Sequence, residues 1–344
     1  MFIPSSNVRS NATTGLSRFH FSSDVLTKSE RTIVLLLWFY SLFFPNLMRS
    51  KPILTLVGPK GSGKTSSLAA VGTLLEGSGF EVTPLSNDER DFDAAISNSS
   101  LVVLDNVDVQ NKWLLDRLAT SSTGGSVKRR ELYTTNMMVE IPFRSAIAIT
   151  ARTPKFRRDD VAERLLILRV DGISSFLSEN LLRNVVLRKR SMIMSEVLQH
   201  LQSIIAALRA HSEAINVGGF RMADFATFCY RIAGHFGVQK EVQRILDRIS
   251  TEQSLFTLEQ DSTFDLLSVW ARKNPGTEVS SNQLWQGLKN IANERQVEFA
   301  YSNNPRGFAQ HLANILSDIS EFLLVKVRNA GGRKRFYSFS KKAG

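Results

Sequence analysis

The sequence has a single cysteine and no apolar run long enough to cross a bilayer. One thiol cannot form an internal disulfide, so we expect a chain from a reducing compartment, namely a cytoplasmic protein. Cys229 lies between aromatic neighbours, which is typical of a packed core thiol rather than a nucleophile. The most apolar stretch, residues 33–44, is shorter than the roughly 17–25 residues that a membrane span requires. We therefore expect no membrane association and interpret residues 26–44 as a buried helix.

Acidic residues are also scarce. The chain of 344 residues has 32 aspartates and glutamates against 43 lysines and arginines, which gives a net charge of +11. This excess favours an anionic partner, with nucleic acid first. The imbalance is concentrated in residues 304–344, which hold eight basic and two acidic residues. The apolar content of 43% is ordinary for a globular protein, and the length allows two or three domains.

A glycine-rich segment follows the apolar run of residues 53–57 and matches G-x-x-x-x-G-K-[ST] at every fixed position. Glycines lack a Cβ, so backbone N–H groups can turn towards phosphate oxygens. The Lys64 ammonium can then reach the β- and γ-phosphates, and the Thr65 hydroxyl can ligate Mg²⁺. We therefore predict a site for ATP or GTP with Mg²⁺. Its residues are Gly58, Pro59, Lys60, Gly61, Ser62, Gly63, Lys64, Thr65 and Ser66.

Short β-rich runs alternate with helical patterns downstream of this motif, which predicts an α/β fold with a parallel sheet covered on both faces. The predicted strands are 53–57, 80–85, 101–104, 146–150 and 165–170. The pattern from about residue 176 to residue 250 is helical, and a further unit begins near residue 261.

Asp105 directly follows the apolar strand 101–104. At the carboxyl edge of a P-loop sheet, such an aspartate holds Mg²⁺ through water; a simple strand-capping aspartate is the alternative. Asn106 comes next, where many ATPases place a glutamate that orients the attacking water. Asparagine cannot act as a base, so either Asp108 or another acid substitutes, or Asn106 only positions the water. Slow hydrolysis is consistent with this sequence.

Two further positions are candidates for contact with the transferring phosphoryl group. Thr150 ends strand 146–150 and could touch the γ-phosphate or the lytic water, although a threonine at a strand end is unremarkable. The basic run 156–164 could deliver an arginine from a neighbouring subunit to neutralise developing charge. Arg164 is the first candidate and Arg158 the second. The alternative is a solvated basic helix with local Arg–Asp pairs.

Two basic segments are candidates for DNA contact. A predicted β-hairpin at residues 126–141 could grip phosphates in a central pore, or could simply have a charged face. The C-terminal pattern of three helices and two strands predicts a winged helix that binds DNA, with protein docking as the alternative. The predicted DNA-binding residues are Lys128, Arg129 and Arg130 in the hairpin, and Lys326, Arg328, Arg333, Lys334 and Arg335 in the wing.

Several short segments occur in a recognisable order. They are the P-loop, Leu104-Asp105-Asn106, Trp113-Leu114, Arg117–Thr120, Arg130–Tyr133, Ala162–Arg164 and Arg221–Ala226. Over about residues 30–235, this order resembles the ATP-binding proteins of phages and mobile elements that are related to primase-associated and superfamily 3 helicases, within the AAA+ ATPases. The resemblance implies an AAA+-like P-loop domain with a helical lid. It also implies ring hexamers that hydrolyse ATP at subunit interfaces and move on DNA.

The resemblance further implies roles for individual residues. These are phosphate and Mg²⁺ binding for Lys64 and Thr65, Mg²⁺ support for Asp105, a sensor for Thr150, a trans arginine for Arg164 and a second sensor for Arg221. The chain departs from the pattern at Asn106, where an acid is usual, and at Thr150, where asparagine is common. These departures concern the rate of hydrolysis more than nucleotide binding.

The sequence thus predicts four segments: a mobile N-terminus with a packing helix (1–49), a P-loop ATPase domain (50–172), a helical lid (173–255) and a winged-helix domain (256–344). The predicted function is an ATP-dependent oligomeric motor, a replicative-type helicase of a phage or mobile element acting on single-stranded or forked DNA. One alternative is an ATP-driven switch or loader that assembles on DNA or on a protein. The other is a scaffold with a relict P-loop, which the intact phosphate-binding and Mg²⁺-binding residues disfavour.

Overall fold

The computed structural model of the chain describes most residues from 25 to 341. The described ranges are 25–108, 112–130, 138–152, 156, 158–173, 177–210, 220–259, 261–330 and 334–341. Most of the predicted mobile N-terminus lies outside them. The chain divides into two compact units, with the division after Gln253. Within the described ranges, no helix is both long and apolar enough to cross a membrane.

The first unit is built on a parallel sheet. In chain order its strands are β1 Ile53–Val57, β2 Thr83–Pro84, β3 Leu101–Asp105, β4 Ser126–Arg130, β5 Met138–Pro142, β6 Ala146–Ala151 and β7 Leu165–Arg169. Five of them form one sheet in the order β2-β3-β6-β1-β7, and all neighbours in it are parallel. Strands β4 and β5 form a separate antiparallel hairpin. The α/β class predicted from the sequence is confirmed.

Helices cover this sheet. They are α1 Lys28–Ser41, α2 Lys64–Glu76, α3 Glu89–Asn98, α4 Lys112–Ser122, α5 Asp159–Ala162, α6 Glu179–Ala210, α7 Ala223–Phe236 and α8 Gln239–Glu259, of which α8 continues past the division between the units. A capping box between Thr27 and Glu30 starts α1. The helix ends earlier than the predicted residue 44, because Pro45 disfavours helical geometry at the residue before it.

The core of the first unit lies between the sheet and these helices. All five residues of β1 are buried, as expected for a central strand covered on both faces. Trp38 of α1 belongs to the same apolar core as Cys229 of α7. Burial raises the pKa of the Cys229 thiol, which fits its predicted role as a core residue.

Strand β2 is much shorter than the predicted strand 80–85. Phe80 is buried, and its ring occupies the space that a Cβ at Gly72 of α2 would need. The Phe80 side chain therefore serves helix packing, and only Thr83 and Pro84 pair with β3. The apolar character of this segment reflects its packing against α2 rather than a long strand.

The second unit combines three helices with a small antiparallel sheet. Its elements are α9 Ser262–Lys273, β8 Val279–Ser280, α10 Ser281–Arg295, α11 Pro305–Phe322, β9 Leu323–Ala330 and β10 Lys334–Lys341. The strand order is β8-β10-β9. Tyr337 and Phe339 of β10 are buried together with Trp270 of α9 and Phe308 of α11. The sequence did not indicate β8, which makes only two residue pairs with β10 and so has no visible alternation.

Candidate nucleotide-binding site

The glycine-rich segment joins the end of β1 to the start of α2. A Cβ at Gly58 would lie 2.2 Å from the Val170 carbonyl oxygen, so no larger residue fits there. Gly63 caps α2 with a φ of 74°, a left-handed conformation that glycine adopts without strain. Gly58 thus permits a close approach to Val170, and Gly63 lies directly before the first N–H groups of α2, which have no partner within a helix.

Lys64 is buried inside this loop. Its ammonium donates hydrogen bonds to the carbonyl oxygens of Gly58 and Pro59, each at 2.8 Å, and to the Ser62 hydroxyl at 3.0 Å. Burial lowers the pKa of Lys64, while the negative charges of Asp108 and Asp105 act in the opposite direction. The ammonium is thus positioned by the loop itself and lies in the field of two carboxylates.

The Asp105 carboxylate accepts hydrogen bonds from two hydroxyl groups. Its Oδ1 accepts hydrogen bonds from the Thr65 hydroxyl at 2.6 Å and from the Thr150 hydroxyl at 2.5 Å. Thr150 is buried, and its Oγ1 also accepts a hydrogen bond from the Asn106 N–H at 3.0 Å. The structure therefore brings together Lys64, Thr65, Asp105 and Thr150 at the carboxyl edge of the sheet.

The oxygen atoms of Thr65 and Asp105 fit a magnesium ion. Mg²⁺ prefers hard oxygen ligands and usually keeps several waters, binding through one or two protein groups and substrate phosphates. In the described ranges, no group of three or more histidine, cysteine, aspartate or glutamate side chains could form a larger metal site. The Thr65 and Asp105 oxygens are thus of the ligand type and number that Mg²⁺ accepts from protein.

Asn106 and Asp108 follow Asp105 at the same edge. Asn106 has a φ of 55°, which asparagine tolerates better than most residues, and it is exposed. The Asp108 carboxylate accepts hydrogen bonds from the Arg152 backbone N–H at 2.8 Å and from its Nε at 3.3 Å. The loop after β3 therefore presents a fixed carboxylate three residues beyond Asp105.

Arg164 lies at the amino ends of the parallel strands, opposite the carboxyl ends where Asp105 and the P-loop lie. Its carbonyl oxygen accepts a hydrogen bond from the N–H of Ile53, the first residue of β1. The side chain is 14% exposed, and its buried Nη1 forms no hydrogen bond within the described ranges. The Nη1 atom lies 3.7 Å from Oδ2 of Asp160. Burial lowers the pKa of Arg164, and the charge of nearby Arg221 adds to this effect.

Two other arginines from the sequence analysis also lie near Arg164. Arg221 pairs with Glu163 at 3.0 Å, so it lies at the edge opposite its own P-loop. Its role as a second sensor stays a prediction. Arg158 forms two hydrogen bonds with Asp160 and a further ion pair with Asp116. Arg158 thus shows the local Arg–Asp pairing that was the alternative interpretation of this run.

The β4–β5 hairpin and its basic residues form a distinct feature of the first unit. Lys128 is exposed and lies in register with Glu140 on the partner strand. The backbones of Arg129 and Arg130 belong to β4, but their side chains lie outside the described part of the structure. So does the predicted polar tip at residues 134–136.

The basic residues of the second unit do not have equal surroundings. Lys326 and Arg335 are exposed. Arg328 is exposed too, but it donates two hydrogen bonds to Glu278, at 2.7 and 2.8 Å, and its guanidinium lies 4.6 Å from the centre of the Phe336 ring. Arg328 is therefore already paired, a contact that the sequence did not reveal because Glu278 is fifty positions away. Arg333 and the side chain of Lys334 lie outside the described residues.

Comparison with known proteins places the chain in a family. A family model described as "Actinomycete integrative conjugative element replication protein" matches residues 22–249, well over half of the chain. The chain belongs to this family. The predicted link to mobile genetic elements is thereby confirmed. The matched region contains the P-loop, Asp105, Thr150 and Arg164 of this conjugative-element replication protein.

Solved structures show weaker likeness. One titled as SCCmec type IV Cch, an active helicase, is 12% identical over 92% of this chain and 71% of its own, with a TM-score of 0.43. The apo NrS-1 C-terminal region is 11% identical over 90% of this chain and 71% of its own, with a TM-score of 0.37. JCV helicase is 14% identical over 71% of this chain and 60% of its own, with a TM-score of 0.27. No curated protein matches.

Proposed function

We propose that this replication protein is an AAA+-type ATPase that assembles into a ring and acts on DNA as the replicative helicase of its mobile element. The observation that carries the proposal is the convergence of Lys64, Thr65 and Asp105 behind a P-loop that follows a buried parallel strand. This is the set of groups needed to bind a nucleoside triphosphate with Mg²⁺.

In this proposal, the loop from Gly58 to Thr65 cradles the phosphates through backbone N–H groups at the start of α2. The Lys64 ammonium, which now donates to loop carbonyls, turns to the β- and γ-phosphates. Thr65 and Asp105 would hold Mg²⁺, which would neutralise charge on the phosphate oxygens. Thr150 keeps the Asp105 carboxylate in place through its hydroxyl.

The position of Arg164 supports an oligomer. Arg164 lies beside the first residue of β1, and the P-loop follows the last. The five residues of β1 between them span about 16 Å at 3.3 Å per residue. Arg164 therefore cannot serve its own nucleotide, but a neighbouring copy could present it there. A contact between the two opposite edges is heterologous, and repeating it closes a ring if the rotation allows; the family resemblance suggests six subunits.

Two basic features support DNA as the partner. The element order of the second unit, three helices with β8, β9 and β10, supports its interpretation as a winged helix. The exposed side chains of Lys326 and Arg335, with the neighbouring Arg333 and Lys334, would bind phosphates there. Lys128, Arg129 and Arg130 would contact a single strand or a fork in the centre of the ring.

A second candidate function is an ATP-driven switch or loader. Asn106 favours it, because an asparagine at this position cannot take a proton from water and hydrolysis would then be slow. Such a protein would use ATP binding to assemble on DNA or on a protein partner, without separating strands.

Strand displacement on a labelled DNA fork tests the proposal. The wild-type protein should release the labelled strand only with ATP and Mg²⁺, and Lys64→Ala should release none. If the wild-type protein hydrolyses ATP and binds the fork but displaces no strand, the switch is the correct function. A folded wild-type protein that binds no ATP would contradict both.

A further inference from the structure

The loop after β3 contains a second carboxylate, that of Asp108, to which the proposed function assigns no role. Asp108 is 17% exposed and lies at the carboxyl edge of the sheet, where Lys64 begins α2. Two structural contacts fix the loop: the Val107 N–H donates to the Thr150 carbonyl at 2.9 Å, and the Arg152 N–H donates to Asp108. Asp108 therefore lies beside the end of β6, close to Thr150, whose hydroxyl donates to Asp105.

Position 106 lacks the acid that hydrolysis requires. The Asn106 backbone is left-handed and its N–H donates to the Thr150 hydroxyl, so the chain changes direction directly after Asp105. This turn carries the chain onward to Asp108 at the same edge. The negative charge of Asp108 acts on the Lys64 ammonium, as does that of Asp105, which is consistent with both carboxylates lying close to the phosphate site.

We propose that Asp108 is the catalytic carboxylate of this ATPase, taking the role that Asn106 cannot perform. This inference rests on the proposed ATPase function of the same site. The geometry that carries it is the Asp108 carboxylate, held by the Arg152 backbone N–H at the carboxyl ends of the strands, where Lys64, Thr65 and Asp105 also lie.

In the proposed step, Asp108 orients the attacking water and accepts one of its protons. The water oxygen forms a bond to the γ-phosphorus, and the bond between that phosphorus and the β–γ bridging oxygen breaks. The electron pair of the broken bond leaves with ADP, and the proton passes from Asp108 to solvent. The products are ADP, inorganic phosphate and one proton.

The simpler interpretation is an ion pair that only fastens the loop. Asp108→Asn distinguishes the two, because the amide oxygen still accepts from the Arg152 N–H while the base is lost. Arg152→Gln is the matched variant: it breaks the same ion pair but leaves the carboxylate. Arg152 is 56% exposed, so its replacement should be tolerated. Each protein is tested at full length for ATP turnover, for affinity for a fluorescent ATP analogue, and for melting temperature without nucleotide.

The proposal predicts that Asp108→Asn loses about 10²–10⁴-fold in turnover, the usual contribution of a general base. Its melting temperature and its affinity for the fluorescent analogue should stay close to wild type. It should also bind ADP with aluminium fluoride, a mimic of the transferring phosphoryl group, more weakly than wild type does. Arg152→Gln keeps the backbone N–H that holds Asp108, so it should lose far less turnover than Asp108→Asn.

Two results would overturn the proposal. One is turnover in Asp108→Asn close to wild type while Lys64→Ala is inactive, which removes Asp108 from the reaction but leaves the ATPase assignment intact. The other is an equal loss of turnover and melting temperature in Asp108→Asn and Arg152→Gln, which shows a structural pair. A wild-type protein without any hydrolysis would contradict the proposed function itself, and with it the role of Asp108.

Discussion

Arg164 and Lys64 lie at opposite ends of the strands of one parallel sheet. Arg164 directly precedes β7, and its carbonyl receives the N–H of the first residue of β1. Lys64 follows the other end of β1 and begins α2. A nucleotide at one P-loop can therefore meet Arg164 only from another copy of the chain. In the proposed ATPase, each ATP site would therefore be shared between two subunits.

Lys64→Ala should abolish high-affinity ATP binding, or at least hydrolysis, and leave the fold intact. The substitution removes the P-loop ammonium that now bonds to Gly58, Pro59 and Ser62. Binding is measured with a fluorescent ATP analogue, and folding by circular dichroism. Lys240→Ala is the control, because Lys240 is an exposed lysine on α8. Unchanged turnover in a folded Lys64 variant would disprove the assignment of the nucleotide site.

Thr150→Val should weaken both the fold and Mg²⁺-dependent nucleotide binding. It removes a buried hydroxyl that donates to Asp105 and accepts from the Asn106 N–H. Leaving these partners unpaired should cost about 1–3 kcal/mol of the free energy of unfolding. Thr150→Ser keeps the hydroxyl and is the matched control. Denaturant unfolding of both variants is the measurement, and equal stabilities would show that the hydroxyl does not support Asp105.

Replacing Arg333, Lys334 and Arg335 with alanine should weaken DNA binding about equally across sequences, because phosphate contacts carry no base information. Each lost contact should flatten the salt dependence by about one unit of slope on a log–log plot. ATP hydrolysis without DNA should hardly change. Identical slopes and affinities for the two proteins would show that this basic surface does not bind DNA.

Arg328→Ala should weaken DNA binding less than Arg335→Ala does. The Arg328 guanidinium is already bonded to both oxygens of Glu278 and lies over the Phe336 ring. Glu278→Gln should release it for phosphate and strengthen DNA binding at low salt. The same affinity titrations check both variants. A loss in Arg328→Ala equal to that of Arg335→Ala would mean that DNA displaces Glu278.

Features encoded locally could be predicted from the sequence. The P-loop motif located the end of β1 and the start of α2, because glycine spacing and a preceding apolar strand are both local signals. The sequence also predicted that Asp105 and Thr150 lie at strand ends, but it did not predict the hydrogen bond that joins them. The helices of the second unit were found because their apolar residues repeat with helical spacing.

Features that depend on distant residues could not be predicted. Arg152 pairs with Asp108 across 44 positions, and Arg328 pairs with Glu278 across 50. Neither pair has a local sequence signal, because each forms only when separate elements come together. The predicted length of β2 was wrong for a related reason. Phe80 packs against α2, and the sequence pattern cannot distinguish this apolar contact from pairing in a sheet.

Mixing two inactive variants tests the shared ATP site most directly. Arg164→Ala should bind ATP nearly normally but lose hydrolysis by roughly 10³-fold or more, as expected for a trans arginine. Lys64→Ala should also be inactive. Mixed rings contain interfaces that pair an intact P-loop with an intact Arg164, so mixing the two should restore part of the ATP turnover. If mixed rings form, as shown by co-purification through different tags, and no turnover returns, Arg164 does not act across the interface and the account is wrong.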